Sequence, residues 1–145
     1  MNFSDFITNH GKRVNKEHYI HLIQVSKIDG KINPSEMELL HKEGRKFGLT
    51  DPEIDELIKS EIHNHYHTPY SLKEKFEHLY NVAEMILADD VIKESEKRMI
   101  RRFAIEAGFN DKAIDKLMDL LFEGIKNNES EESLLAKFKS YLFKD

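Results

Sequence analysis

Acidic residues occur at two places in this chain in the same order and at the same spacing. Asp29 precedes Glu36 by seven residues, and Asp89 precedes Glu96 by the same interval. In each case the aspartate falls near the end of one helical pattern and the glutamate near the start of the next. A glutamate in the first turn of a helix suits the helix dipole, whereas an aspartate in the last turn opposes it by about 0.3–1 kcal/mol. An unfavourable aspartate at both places indicates a compensating partner.

A divalent cation is one such partner. If the two segments 29–36 and 89–96, which we call the acidic hinges, pack together, four carboxylates converge. Like charges held close together force protonation unless a cation neutralises them. We therefore predict a site for calcium, magnesium or manganese formed by Asp29, Glu36, Asp89 and Glu96.

A structural role explains the same residues equally well. Glu36 has the position to close a capping box at the start of a helix. Asp29 is placed to accept hydrogen bonds from the backbone of the turn, or to pair with a lysine. Both interpretations stay open, because most exposed carboxylates bind no ligand.

The hinges belong to a longer internal repeat. Residues 17–58 align with residues 77–118 at a constant offset of sixty and without a gap. Eleven pairs are identical, where average residue usage predicts about two or three. These pairs are Glu17/Glu77, His18/His78, Asp29/Asp89, Ile32/Ile92, Ser35/Ser95, Glu36/Glu96, Gly48/Gly108, Asp51/Asp111, Ile54/Ile114, Asp55/Asp115 and Leu57/Leu117. The same unit therefore occurs twice, and its copies should share a fold and pack together.

Each copy predicts three helices, because its apolar residues recur at helical spacing. We expect one all-α domain over residues 1–145, a bundle of seven or eight helices without a convincing strand. Phe3, Phe6 and Ile7 indicate a short leading helix. The first copy is predicted over 16–62, with helices at about 16–28, from 34 and at 51–62. The second copy is predicted over 72–126, with helices at about 72–88, 93–107 and 111–126. A closing helix is predicted over 130–143.

The helix boundaries have their own signals. Asn33 followed by Pro34 is typical of an N-cap and a first helical position. Thr50 and Ser71 are placed to cap the helices that follow them. Gly48 and Gly108 each follow a helical pattern, where a left-handed C-terminal cap favours glycine.

Two groups of histidines are candidate sites. His63, His65 and His67 alternate, and alternate residues face one way only in an extended chain. They form either a polar loop or a zinc or nickel site. His18 and His78 occupy equivalent places in the two copies, where they fit a structural role as well as a catalytic one.

Composition narrows the function classes. The 145 residues carry a net charge of −5, which disfavours binding to nucleic acid. There is no cysteine, so disulfides and thiolate sites are excluded. No apolar run is long enough for a membrane span and the first residues do not resemble a signal peptide, so we expect a cytoplasmic location.

No motif for phosphate, dinucleotide or nucleophilic-serine chemistry is present. A Glu-x-x-His pair, as in di-metal bundles, occurs at Glu38 and His41, but the equivalent residues are Arg98 and Arg101. A metal-dependent enzyme using the clustered carboxylates remains an alternative, as does a purely structural dimerisation module.

The repeated unit resembles the TerB-like family associated with tellurite resistance, and it is similar to the N-terminal domain of membrane-anchored DnaJ-like co-chaperones. The resemblance rests on an apolar helix ending in Asp-Gly, a short turn, a Ser-Glu opening and a helix that closes before Gly-Leu. The segments are LIQVSKIDGKINPSEMELLHKEGRKFGL and LYNVAEMILADDVIKESEKRMIRRFAIEAGF. One departure is Asp90, which stands where the first copy has Gly30.

The resemblance implies a compact all-α fold of duplicated helical units and no enzymatic activity. It also implies a role in stress response and in protein complexes near the inner face of the bacterial membrane. The family's acidic hinge residues, suggested as a metal site, match Asp29, Glu36, Asp89 and Glu96. We therefore expect a non-enzymatic interaction or scaffold domain with a protein partner, which can also be a second copy of the chain.

Overall fold

The computed structural model describes residues 3–8, 11–27, 32–61, 66–87 and 92–143. Within these residues the chain forms seven helices and one small sheet, which confirms the all-α bundle. The elements are β1 Phe6–Ile7, β2 Arg13–Val14, α1 Lys16–Ser26, α2 Pro34–Lys46, α3 Asp51–Ser60, α4 Leu72–Ile86, α5 Glu94–Glu106, α6 Asp111–Lys126 and α7 Glu131–Leu142. None of the helices in these ranges is long and apolar enough to cross a membrane.

The predicted leading helix is wrong, because this segment is a strand. Phe6 and Ile7 pair antiparallel with Val14 and Arg13, in a hairpin that the sequence did not indicate. The Thr8 amide donates to the Lys12 carbonyl at 2.9 Å and extends the pairing. So short an apolar run cannot sustain an isolated helix, whereas a nearby strand partner satisfies its backbone.

The predicted helix starts are confirmed by their caps. The Asn33 side chain accepts from the Glu36 amide at 2.8 Å, and Thr50 and Glu53 form the same reciprocal box. Gly48 has a φ of 85° and Gly108 a φ of 96°, as a left-handed helix end requires. Three helices end about two residues before their predicted ends, since α1 stops at Ser26, α3 at Ser60 and α4 at Ile86.

Equivalent helices of the two copies contact each other. The first helices pair as α1 with α4, and the second helices pair as α2 with α5. The third helices lie outside, with α3 on α2 and α6 on α5, and α7 closes the second copy against α4 and α6. Equivalent helices therefore pack on each other, as expected for two copies of one unit, and α1 also contacts α5.

The core lies between the two copies and under α7. Its largest fully buried side chains are aromatic: Tyr19, Phe47, Phe76, Phe103 and Phe138. Truncating a buried aromatic residue to alanine typically costs about 3–5 kcal/mol, so these side chains contribute much of the stability. This packing holds α2 against α5. It thereby positions the first turns of these two helices, which follow the acidic hinges.

Candidate functional site

The predicted metal site divides between described and undescribed residues. Asp29 and Asp89 lie outside the described residues. Glu36 and Glu96 occupy the third position of α2 and of α5. One oxygen of each carboxylate returns to its own helix start: Glu36 Oε1 accepts from the Asn33 amide at 3.1 Å, and Glu96 Oε1 accepts from the Lys93 amide at 2.8 Å.

The other oxygen of each glutamate reaches a basic residue of the opposite copy. Arg102 of α5 donates to Glu36 Oε2, and Lys42 of α2 donates to Glu96 Oε2 at 2.8 Å. Positions 42 and 102 are themselves separated by the repeat offset of sixty. The two ion pairs are therefore equivalent and reciprocal, and we call them the crossed pairs.

Burial makes the crossed pairs matter for stability. The side chain of Glu96 is 1% exposed and that of Glu36 is 12% exposed. The basic partners are only partly buried, since Arg102 is 21% and Lys42 is 29% exposed, so removing one partner should cost less than about 3–5 kcal/mol, the value for a fully buried pair. The crossed pairs thus link the two copies at equivalent positions.

The contacts that Glu36 and Glu96 make compete with their predicted role as cation ligands. The capping interpretation is confirmed for Glu36, whose two oxygens are both engaged by protein donors. A cation that took Glu36 and Glu96 as ligands would have to displace Arg102 and Lys42. Among the described residues, no group of three or more His, Asp or Glu side chains is arranged to hold a metal ion. The four-carboxylate site remains a prediction.

Two cavities lie between α2 and α5 beside the crossed pairs. Their volumes are about 330 Å³ and about 150 Å³, and Ser35 and Ser95 line both. The larger one is also lined by Lys42, Arg45 and Lys93, together with Glu38 and Glu96. The first turns of α2 and α5 therefore share one polar groove, which we call the hinge face.

Within each copy, a contact between a basic residue and an aspartate joins the second helix to the third. We call these two equivalent contacts, His41 with Asp55 and Arg101 with Asp115, the pins. His41 Nε2 contacts Asp55 Oδ1 at 2.7 Å, and the equivalent Arg101 donates to Asp115 at 2.6 Å. His41 Nδ1 also contacts Asp51 at 2.9 Å. Burial alone would lower the pKa of His41, but the two aspartates outweigh it and raise that pKa above its ordinary value.

Sequence reasoning missed two buried glutamates. Glu43 is fully buried, with Lys46 Nζ at 2.9 Å from its carboxylate. Burial raises the pKa of Glu43 to about 7, although Lys46 opposes the rise. The available signal was its place on the apolar stripe of α2, between Leu40 and Phe47. The repeat gave a second signal, because the equivalent residue is the apolar Phe103.

The second missed residue, Glu84, ties the hairpin to α4. Its buried carboxylate accepts from Tyr80 at 2.7 Å and from Thr8 at 3.3 Å. Thr8 directly follows the residues that were predicted to form a leading helix, and no sequence pattern placed it beside Glu84.

The histidines of α1 and α4 meet between the copies. The rings of His21 and His78 stack with centroids 4.7 Å apart, and Tyr66 Oη lies 2.8 Å from His78 Nδ1. His18 Nδ1 accepts from the Asn15 amide at 3.1 Å and caps α1. Burial lowers the pKa of His18 and of His21 to about 4. His18 therefore has a structural role in the described structure.

One of the three alternating histidines lies among the described residues. His67 is exposed, whereas His63 and His65 lie outside the described residues. The zinc or nickel site proposed for the three remains a prediction.

Comparisons of the chain with protein-family models, with curated proteins and with solved structures found no match in any of the three. The function must therefore be argued from the arrangement of the residues.

Proposed function

We propose that this chain is a non-enzymatic interaction and scaffold domain of the TerB type, acting in a stress response such as that to tellurite. The single observation that carries the proposal is the set of crossed pairs. Charged residues that would suit catalysis or ligand binding instead join the two copies at equivalent positions. Two partly buried, reciprocal contacts suit a rigid platform.

The hinge face is the proposed contact for a partner protein. It combines a polar groove with the starts of α2 and α5, which follow Asp29 and Asp89 in the sequence. Polar groups placed around a cavity on rigid helices provide specificity for a partner. The resemblance to the TerB-like family favours the same region.

Partner capture from cells tests this assignment. Asp29→Asn combined with Asp89→Asn should remove a partner that the unchanged chain retains, because it neutralises the hinges without altering the crossed pairs. Asp119→Asn, a change of the same kind at an exposed position of α6, is the matched control and should retain the partner. Equal capture by the chain, the double variant and the control would contradict a role for the hinges.

A divalent cation at Asp29, Glu36, Asp89 and Glu96 is the second proposal. It is favoured by the two adjoining cavities: Glu36 lines the smaller one, Glu96 lines the larger one, and Ser35 and Ser95 line both. The ion would compete with Arg102 and Lys42 for the two glutamates. Binding of calcium, magnesium or manganese would then break the crossed pairs and change how α2 packs on α5.

The melting temperature measured with each ion separates the two roles of the glutamates. A cation site predicts a rise in melting temperature at millimolar ion, since a ligand that binds only the folded state stabilises it. The rise should vanish in the Asp29→Asn, Asp89→Asn variant. An unchanged melting temperature at millimolar ion would leave the glutamates with their capping and pairing roles alone.

A further inference from the structure

Histidines from both copies converge where α1 packs against α4. We propose that His21 and His78, stacked on each other between the copies, form a proton-operated joint that loosens the α1–α4 contact on acidification. This role is independent of the proposed partner and cation binding, because the joint lies on different helices from the hinge face.

The stack is built so that it favours neutral rings. The ring planes of His21 and His78 are inclined by 26° at a centroid distance of 4.7 Å, and the side chain of His21 is 18% exposed. Two imidazolium rings at that separation repel each other in a partly desolvated place. The edge of the Tyr66 ring closes the cluster, with its centroid 5.4 Å from that of His21.

A hydrogen bond links the stack to the segment before α4. The Tyr66 hydroxyl lies 2.8 Å from His78 Nδ1, and the two rings meet edge to face with centroids 5.9 Å apart. A change in the stack is therefore expected to reach Tyr66.

In the described part of the chain, the acidic group that acts on His21 is Glu17. Glu17 lies on the same helix, with its carboxylate 3.9 Å from His21 Nε2, and its side chain is 76% exposed. Nearby on α1, burial lowers the pKa of His18 to about 4, with His21 and Lys12 acting in the same direction and Asp5 opposing them. Burial, followed by the neighbouring His78, lowers the pKa of His21 to about 4.

The sign of the pH dependence follows from this depressed pKa. A neutral buried histidine adds stability above its ordinary pKa, and the contribution is lost as the pH falls towards the folded-state value. Between about pH 6.5 and pH 4 the unfolded chain binds protons that the folded joint excludes. Glu43 has the opposite effect over part of this range because its pKa is raised, so the test compares variants that all retain Glu43.

Amide hydrogen exchange of the full chain at pH 7 and pH 5 tests the joint directly, once the effect of pH on intrinsic exchange is removed. We expect protection in α1 and α4 to fall at least tenfold more than protection in α6. His21→Asn, which places there the residue type found at the equivalent Asn81, should abolish most of the difference. His67→Gln removes an exposed histidine and should leave it intact. Equal changes in α1, α4 and α6, or the same response in His21→Asn, would overturn the proposal.

A measurement on the unchanged chain covers the case in which His21→Asn does not fold. Nuclear magnetic resonance titration of the histidine ring protons should show His21 protonating at least one pH unit below an exposed histidine, together with shifts in Tyr66. A titration of His21 at the same pH as His67 would overturn the proposal.

Discussion

At the scale of single residues, close packing explains why a helix interior contains a glycine. Gly44 lies in the middle of α2, where Tyr19 and Ile54 approach closely. A Cβ added there would lie 2.7 Å from Tyr19 Oη and 2.7 Å from the Ile54 side chain. The equivalent residue is Ala104, so the second copy leaves room for one more carbon at this position.

Replacing Gly44 with alanine therefore tests packing against helix propensity. Propensity alone predicts stabilisation by about 1 kcal/mol, because glycine is a poor helix former. Overpacking predicts destabilisation, typically about 1–3 kcal/mol. We expect the net change to be destabilising in urea unfolding. A more stable Gly44→Ala variant would show that Tyr19 and Ile54 can move aside without cost.

Gly48→Ala provides the matched comparison, since no heavy atom lies within 4 Å of its added Cβ. Its cost should come from the positive φ alone, about 1–2 kcal/mol.

At the scale of elements, the sequence predicted the helices well and the contacts between them poorly. Asn33, Pro34 and Glu36 are neighbours in the chain, so the start of α2 could be read from local chemistry. The hairpin was missed because the role of Phe6 depends on Val14 and on the core. The crossed pairs were missed because nothing local links Glu36 to Arg102; only the packing of α2 on α5 brings them together.

The pins between the second and third helices give a prediction at this scale. The raised pKa of His41 means that its charged form is stabilised by Asp51 and Asp55 in the folded state. This contribution is fully present below the ordinary pKa of about 6.5, and it is lost as the pH rises through the folded-state value. His41→Gln should therefore destabilise the protein more at pH 6 than at pH 9, measured by urea unfolding at both values.

The second copy supplies the control for this pH dependence. Arg101 remains charged throughout, so Arg101→Gln should cost about the same at pH 6 and at pH 9. A constant cost for His41→Gln over that range would contradict a protonated His41 in the fold.

At the scale of the whole molecule, duplication explains most of the architecture. Equivalent helices face each other, and equivalent charges cross between the copies. The repeat could be found in the sequence, but the departures from it could not be placed. Glu43 faces the core where the second copy has Phe103, and Glu84 faces it where the first copy has Gln24. Each has a partner on its own helix, Lys46 for Glu43 and Tyr80 for Glu84, and Glu84 also accepts from Thr8 of the hairpin.

The central claim is that the crossed pairs join the two copies, and a double-mutant cycle on Glu36 and Arg102 tests it most directly. Unfolding free energies are measured for the unchanged chain, Glu36→Gln, Arg102→Met and the double variant, with Glu36 and the exposed Lys73 as the control pair. We predict a coupling of at least about 1 kcal/mol between Glu36 and Arg102, whereas the control pair should be additive within about 0.5 kcal/mol. Additive effects of Glu36→Gln and Arg102→Met would contradict the claim that these residues join the two copies.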